Sequence, residues 1–146
     1  MRRVTIGIDY GDKHIGLARG DTDVKLASEL GVLVNTGNDD IWPRILNIIK
    51  SEQANIVVVG LPRDNEGAET SQTAKCRQFA DALRKHLADN GLKVDVFMQD
   101  ESLTSVKAEQ QLRGERHFDP IMLRNGKLDI RAAVIILSDY LEGYYG

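Results

Sequence analysis

The sequence lacks the features that mark several common classes of protein. Its single cysteine, Cys76, cannot form a disulfide bond within the chain, and such sparse cysteine usage suits a reducing compartment. No apolar run approaches the ~20 residues that a membrane-spanning helix needs. The amino terminus shows no apolar segment or cleavage site of the kind found in signal peptides. These absences predict a cytoplasmic protein that does not insert into a membrane.

Basic charge is also scarce. The chain carries 19 Lys and Arg against 22 Asp and Glu, for a formal net charge of −3. A broad basic surface that binds nucleic acid non-specifically is therefore not expected. Any attraction to nucleic acid would have to come from a local cluster of cations, from bound metal or from a partner. The sequence also contains no Walker-type phosphate loop and no serine nucleophile elbow.

The composition is that of an ordinary globular protein. The 146 residues are 42% apolar and 28% charged, which predicts one domain over 1–146 with a hydrophobic core of its own. Repeats, low-complexity tracts and linkers are missing. Cys76 lies in a helical pattern and is interpreted as a small, half-buried apolar residue rather than a reactive thiol.

Two hydrophobic periods alternate along the chain. Alternating, β-branched segments predict strands over 4–9 and 14–19, joined by a tight turn, and a third strand over 30–34. The continuous apolar run 55–62 is typical of a central strand covered on both faces. A fifth strand is predicted over 93–98.

Helical patterns occupy the segments between and after these strands. Isoleucines at 41, 45, 48 and 49 share one helical face behind the capping residues 38–40. Further helices are predicted over 70–90, 105–113 and 129–142, with Thr104 as the cap of the third helix and a mobile loop over 113–127. Hairpins followed by β–α units predict an α/β fold, a mixed sheet in which strands one, four and five are parallel.

Three acidic residues fall where such a fold binds its ligands. Asp9 ends the first strand, Glu101 follows the fifth strand and Asp129 opens the last helix. Ligands of open α/β sheets lie beyond the carboxyl ends of parallel strands, so these acids are expected to meet. Adjacent carboxylates repel each other, and Mg²⁺ relieves that repulsion while binding phosphate. Taken singly, each acid has an ordinary alternative as a turn residue, a solvated charge or a helix cap.

Several segments together resemble one family. The turn Asp9-Tyr10-Gly11 is similar to the first hairpin of RNase H-like nucleases, and equally to that of sugar kinases and actin-like ATPases. The decisive segments are 58–62 (Val-Val-Gly-Leu-Pro) with Asn65 and Gly67, then 79–83, 99–109 and 127–137. Together, in this order and spacing, they resemble the YqgF/RuvX family over nearly the whole chain.

This resemblance implies an RNase H-like fold, with a five-stranded mixed sheet of order 3-2-1-4-5 in which strand 2 is antiparallel. It also implies a nuclease that uses Mg²⁺ or Mn²⁺, as two ions per site, held by Asp9, Glu101 and Asp129. Asp100 is expected to point to the opposite face of its strand from Glu101. Ser102 stands where the family usually has arginine, which leaves the substrate preference open.

Five polar or basic residues are candidates for contact with nucleic acid: Lys13, Arg63, Asn65, Arg116 and Lys127. The first three are expected near the acids, and the last two lie on the 113–127 loop. Such contacts would position a phosphate backbone without reading its sequence. The alternative interpretation is ordinary surface charge. Phe118 on the same loop is interpreted as its anchor.

Three functions are therefore weighed for the chain. The first is a metal-dependent nuclease that matures the 5′ end of precursor 16S ribosomal RNA, with a Holliday junction resolvase acting on branched DNA as the alternative. The second is an actin-like ATPase, for which the chain lacks a second hairpin. The third is a non-catalytic factor that associates with nucleic acid or ribosomal precursor particles. Paired cuts in branched DNA would require a two-fold dimer, and the sequence leaves monomer and homodimer open.

Overall fold

The computed structural model describes residues 2–145 and shows strands and helices in alternation. The strands are β1 (Val4–Tyr10), β2 (His14–Asp21), β3 (Ser28–Val34), β4 (Ile56–Arg63) and β5 (Asp95–Ser102). The α-helices are α1 (Ile41–Ser51), α2 (Ser71–Asp89), α3 (Thr104–Arg113) and α4 (Lys127–Glu142), and a short 3₁₀ helix covers Pro120–Leu123. Within residues 2–145, none of these helices combines the length and hydropathy needed to cross a membrane.

The five strands form one mixed sheet in the order β3-β2-β1-β4-β5. β2 runs antiparallel to β1 and β3, whereas β1, β4 and β5 are mutually parallel. The predicted strand order and directions are confirmed. Because parallel strands end at the same edge of a sheet, the carboxyl ends of β1 and β5 both lie where such folds bind ligands.

Helices cover both faces of the sheet. Ile6 and Ile8 of β1 pack in a core with α1 and α2, on one face. Ile56 and Val58 of β4 pack against α4 on the other face. Residues 56–61 of β4 are all buried, as predicted for a central strand. Helix α4 therefore lies next to the end of the sheet at which β1 and β5 terminate.

Several element boundaries differ from the sequence prediction, and three of the differences bear on the acids and their surroundings. Glu101 lies inside β5, paired with Pro62, because the parallel ladder between β4 and β5 continues to the end of both strands. Helix α4 begins at Lys127 behind Gly126, so Asp129 lies in its first turn. The residue that caps α3 is Leu103 rather than Thr104.

Glycines let α4 lie unusually close to the sheet. A β-carbon on Gly7 would lie 2.7 Å from the β-carbon of Leu137, and one on Gly60 would lie 2.4 Å from Cδ1 of Ile136. Strand glycines often mark such close approaches. Because α4 rests on these positions, its first turn reaches the β1–β2 hairpin beside Asp9.

The segment between α3 and α4 is more regular than predicted. Its 3₁₀ helix is capped by Asp119, whose Oδ1 accepts a hydrogen bond from the Ile121 amide at 2.9 Å. Arg131 of α4 ties the segment down through an ion pair with Glu115. The guanidinium of Arg113 lies 5.6 Å from the centre of the Phe118 ring. These contacts attach the segment to α3 and α4.

Candidate active site

Asp9 and Asp129 lie at the centre of the candidate site. The β1–β2 ladder pairs Asp9 with Gly16, and the main chain of Asp129 rests on that glycine. Burial, and then the neighbouring Asp129 carboxylate, raise the pKa of Asp9 to about 7. Burial also raises the pKa of Asp129, opposed by His14, whose Nδ1 lies 3.5 Å from Asp129 Oδ2. The negative charge of Asp129 therefore disfavours ionisation of the adjoining Asp9 carboxyl.

Glu101 is the third predicted acid, and it lies on the face of the sheet that α4 covers. Its exposed fraction is only 8%, whereas the neighbouring Asp100 is exposed on the opposite face, as predicted. Among the described residues, Oε1 of Glu101 is buried and has no hydrogen-bond partner. Burial, and then the carboxylate of Asp139 on α4, raise the pKa of Glu101 to about 8.

A cavity of about 240 Å³ connects Asp9 with Glu101. Arg63 lines this cavity, together with residues at the start of α3. Asp129 lies instead in an adjoining depression of about 340 Å³, which Lys13 and His14 also line. Asp9 thus lines the opening that contains Glu101, and its carboxyl adjoins that of Asp129, which lines the other opening.

The structure brings the three acids to one edge of the sheet without closing them into a compact cluster. Over residues 2–145, no three Asp, Glu, His or Cys side chains come together as a group that could hold a metal ion. The donors nevertheless suit a hard dication, since two adjoining carboxyls and a buried, unpartnered carboxylate oxygen all supply oxygen ligands. Asp9 and Asp129 would hold such an ion, with Glu101 as a further oxygen donor from the cavity.

Two of the predicted nucleic-acid contacts lie beside the acids. Lys13 is exposed in the depression with Asp129. Arg63 reaches the cavity while its Nε and Nη2 donate to Asp100 Oδ1 at 3.2 and 3.1 Å. A second carboxylate is also near, since Oε2 of Glu69 lies 3.8 Å from Nη1 of Arg63. The guanidinium is thus held by carboxylates at the rim of the site.

The other three predicted contacts lie outside both openings. Asn65 and Arg116 are exposed in loops, and Lys127 is exposed at the start of α4 with its Nζ 4.0 Å from Glu29 Oε1. None of the three lines the cavity or the depression. Their contact with nucleic acid stays a prediction that requires an extended substrate.

Sequence reasoning missed two features of the site. Asp139 lies ten residues after Asp129 in the same helix, and only the packing of α4 against β5 reveals its proximity to Glu101. Leu103 was missed because a leucine at a left-handed cap contradicts its backbone preference. Glycines within the predicted strands, Gly7, Gly16 and Gly60, were the available signal for the close packing of α4.

The order and directions of the strands define the class of this protein as an RNase H-like fold. T. thermophilus RuvC in complex with a Holliday junction substrate superposes with a TM-score of 0.57 at 18% identity, covering 94% of this chain and 93% of that chain. The fowlpox virus Holliday junction resolvase gives a TM-score of 0.61 at 10% identity, with 97% and 99% covered. At these identities the likeness establishes the fold alone.

The chain belongs to the RuvX family, whose model, described as Holliday junction resolvase, matches residues 3–143. A Shewanella denitrificans protein named "Putative pre-16S rRNA nuclease" is 33% identical over 145 residues, covering 99% of this chain and 98% of the relative. A Maridesulfovibrio salexigens protein of the same name is 33% identical over 136 residues, covering 93% and 96%. The resemblance found in the sequence is confirmed, and the chain is a member of a nuclease family, hydrolases of phosphodiester bonds.

Proposed function

We propose that this protein is a divalent-metal-dependent nuclease with Asp9, Asp129 and Glu101 as its catalytic acids. The observation that carries the proposal is the pairing of Asp9 with Asp129 at the end of β1, next to a cavity lined by Glu101, whose buried Oε1 has no hydrogen-bond partner among the described residues. Paired carboxyls with raised pKa values are common at functional sites. Here they stand where an open α/β sheet binds phosphate-bearing ligands.

The residues divide the work of hydrolysis between them. Mg²⁺ or Mn²⁺, as one or two ions, would activate water and stabilise charge on the phosphate and its leaving oxygen. Asp9 is fixed by the β1–β2 ladder, and Asp129 by the first turn of α4 and by His14. Lys13 and Arg63 flank these acids as phosphate contacts that orient the backbone. Rigid elements on both sides therefore hold the acids in place.

The substrate we favour is the 5′ end of precursor 16S ribosomal RNA. Support comes from relatives that align over almost the whole chain at 33% identity and carry that activity in their name. The net charge of −3 argues against tight binding to naked nucleic acid. Ribosomal precursor particles, in which folded RNA and protein present the cleavage point, are therefore the natural partner.

Cleavage of branched DNA is the second candidate. The description of the matching family model favours it. Symmetric cuts in a four-way junction require two active sites related by a two-fold axis. A stable homodimer in solution would therefore favour this substrate, and a monomer would favour the RNA.

A cleavage panel tests the proposal. A 5′-extended precursor 16S RNA, free and within precursor particles, and a four-way DNA junction are incubated with the protein in Mg²⁺, Mn²⁺ or EDTA. We expect cleavage of the RNA that needs a divalent ion and falls at least 100-fold in Asp9→Asn, since one acid of a metal site is lost. Asp23→Asn, an exposed aspartate at the other end of the sheet, is the matched control.

Each result of the panel has a distinct meaning. Cleavage by Asp9→Asn at the wild-type rate would show that the acids are assigned wrongly. Cleavage of the junction alone would establish the DNA candidate. Association with precursor particles that needs neither metal nor Asp9, without any cleavage, would establish a non-catalytic factor instead.

A further inference from the structure

Two apolar side chains form one wall of the acidic cavity. Leu103 and Val106 line it together with Asp9 and Glu101. Their exposed fractions are 49% and 50%, although most large apolar side chains of this protein are buried. Neither side chain can bind metal or donate to a phosphate. Their position on the cavity suits an apolar group of the ligand.

The backbone of Leu103 supports a functional role for this wall. Its φ of 60° and ψ of 16° lie in the left-handed region, which bulky residues rarely adopt. Among residues 2–145, Lys25 and Gln53 are the other non-glycine residues with positive φ, and neither lines this cavity. Strained conformations of this kind concentrate at functional sites.

The strained residue also determines where the wall stands. β5 ends at Ser102 and α3 begins at Thr104, so the chain turns within Leu103 alone. This sharp turn places Leu103 two residues after Glu101, and the first turn of α3 places Val106 beside it on the cavity. The apolar wall is thereby fixed relative to the acid.

We propose that Leu103 and Val106 contact the face of an unpaired nucleobase next to the cleaved phosphate. Within the proposed nuclease function, which this inference rests on, a divalent ion held by the acids would bind the phosphate together with Arg63, and the adjoining base is the apolar part of the same nucleotide. The faces of bases in a continuous duplex are covered by their neighbours, so an apolar wall reaches only bases that are unstacked. The substrate is therefore nucleic acid with an unpaired nucleotide at the cleavage point.

Leu103→Gly and Leu103→Met separate base contact from stability. Glycine accepts φ > 0 without strain, so Leu103→Gly is expected to keep or raise Tm while it removes the side chain. Leu103→Met retains an apolar side chain and should retain function. Leu26→Gly is the matched control, because Leu26 is 72% exposed and lies in the loop between β2 and β3, at the opposite end of the sheet.

Binding is measured with the acids intact and with Ca²⁺ in place of Mg²⁺, so that an ion accepting the same oxygen ligands can occupy the site while cleavage is suppressed. The probes are an RNA hairpin and a DNA duplex, each with a 2-aminopurine in a central single-stranded bulge, and matched versions with an abasic site there. In Ca²⁺, we expect the abasic change to weaken binding roughly tenfold when Leu103 is present. With Leu103→Gly, intact and abasic probes should bind equally weakly, and the 2-aminopurine signal should no longer change.

Three results would overturn the inference. These are equal binding of the intact probes by the wild-type and Leu103→Gly proteins, an equal loss of affinity for both proteins on the abasic probe, and binding of a further probe, a fully paired duplex without the bulge, as tight as that of the intact probes. Absence of any binding to these probes would overturn it as well. Base-dependent binding together with unimpaired cleavage by Asp9→Asn would instead retain this inference and remove the assignment of the acids.

Discussion

A β-carbon on Gly16 would lie 2.0 Å from the main-chain oxygen of Asp129, closer than non-bonded atoms can approach. Gly16 is also the ladder partner of Asp9. The absence of one side chain on β2 therefore permits the first turn of α4 to bring Asp129 to Asp9. The geometry of the two acids depends on a residue that has no reactive group.

Gly16→Ala tests this dependence. The clash involves main-chain atoms of α4, which cannot rotate away as a side chain does, so the helix must shift. We expect the free energy of unfolding to fall by about 1–3 kcal/mol, measured by urea denaturation, with loss of nuclease activity. Gly31→Ala in β3 is the control, since a β-carbon there meets nothing within 4 Å. Equal stability of the two variants would contradict the packing argument.

Stability of the metal-free protein should depend on pH through Asp9. Its pKa is about 7 in the folded protein and has an ordinary value of 3.8, so the folded state binds the proton more tightly. The contribution of Asp9 to the free energy of unfolding is complete below pH 3.8. As pH rises from there to about 7, that free energy falls by up to about 1.4 kcal/mol per pH unit. Glu101, with a pKa of about 8, extends the loss upward.

Asp9→Asn is the variant that isolates this effect. It cannot ionise, so in EDTA we expect it to unfold at higher denaturant concentration than the wild type above pH 7, and to show a flatter pH profile. Denaturation series from pH 5 to pH 9 provide the measurement. Asp23→Asn should follow the wild-type curve. A wild-type profile as flat as that of Asp9→Asn would show that Asp9 is ionised throughout.

Divalent ions should restore the stability that is lost at high pH. A ligand that binds only the folded state at 100 times its Kd adds about 2.7 kcal/mol. We therefore expect Mg²⁺ or Mn²⁺ to raise the Tm of the wild type at pH 8, reversibly with EDTA. The increase should be largely absent from Asp9→Asn and Asp129→Asn, and present in Asp23→Asn. The same increase in all four proteins would place the ion elsewhere.

Arg63 should contribute one phosphate contact. It lines the cavity while Asp100 accepts two of its hydrogen bonds. We expect Arg63→Ala to reduce the slope of log affinity against log salt by about 1, and Asp100→Asn to strengthen binding because the guanidinium is freed. Filter binding over a salt series measures both.

Arg77→Ala is the control for the Arg63 variant. Arg77 belongs to the same ion-pair cluster, with its Nε 3.0 Å from Glu69 Oε1, and does not line the cavity. Its removal should leave the salt dependence close to that of the wild type. If both arginine variants lower the slope equally, general surface charge accounts for the attraction, and the specific position of Arg63 does not.

Several site features were predictable because they depend on neighbours in the sequence. Asp9 at the end of an alternating strand and Glu101 near the end of the fifth strand were located within a few residues of their observed places. The opposite direction of Asp100 followed from the two-residue period of a strand. Predictions of this kind succeed because strand and helix periodicity is a local property.

The sequence by itself determined the approximate positions of the strands and helices and the helix faces, since hydrophobic period is written along the chain. The strand order and the candidate acids came from motifs that resemble a known family. Only the tertiary structure decided which acids adjoin: Asp9 meets Asp129 over Gly16, whereas Glu101 lies beside Asp139. It also decided that Leu103 adopts a left-handed turn. These relationships arise where α4 and β5 pack against distant strands, and no local preference encodes the distance between such elements.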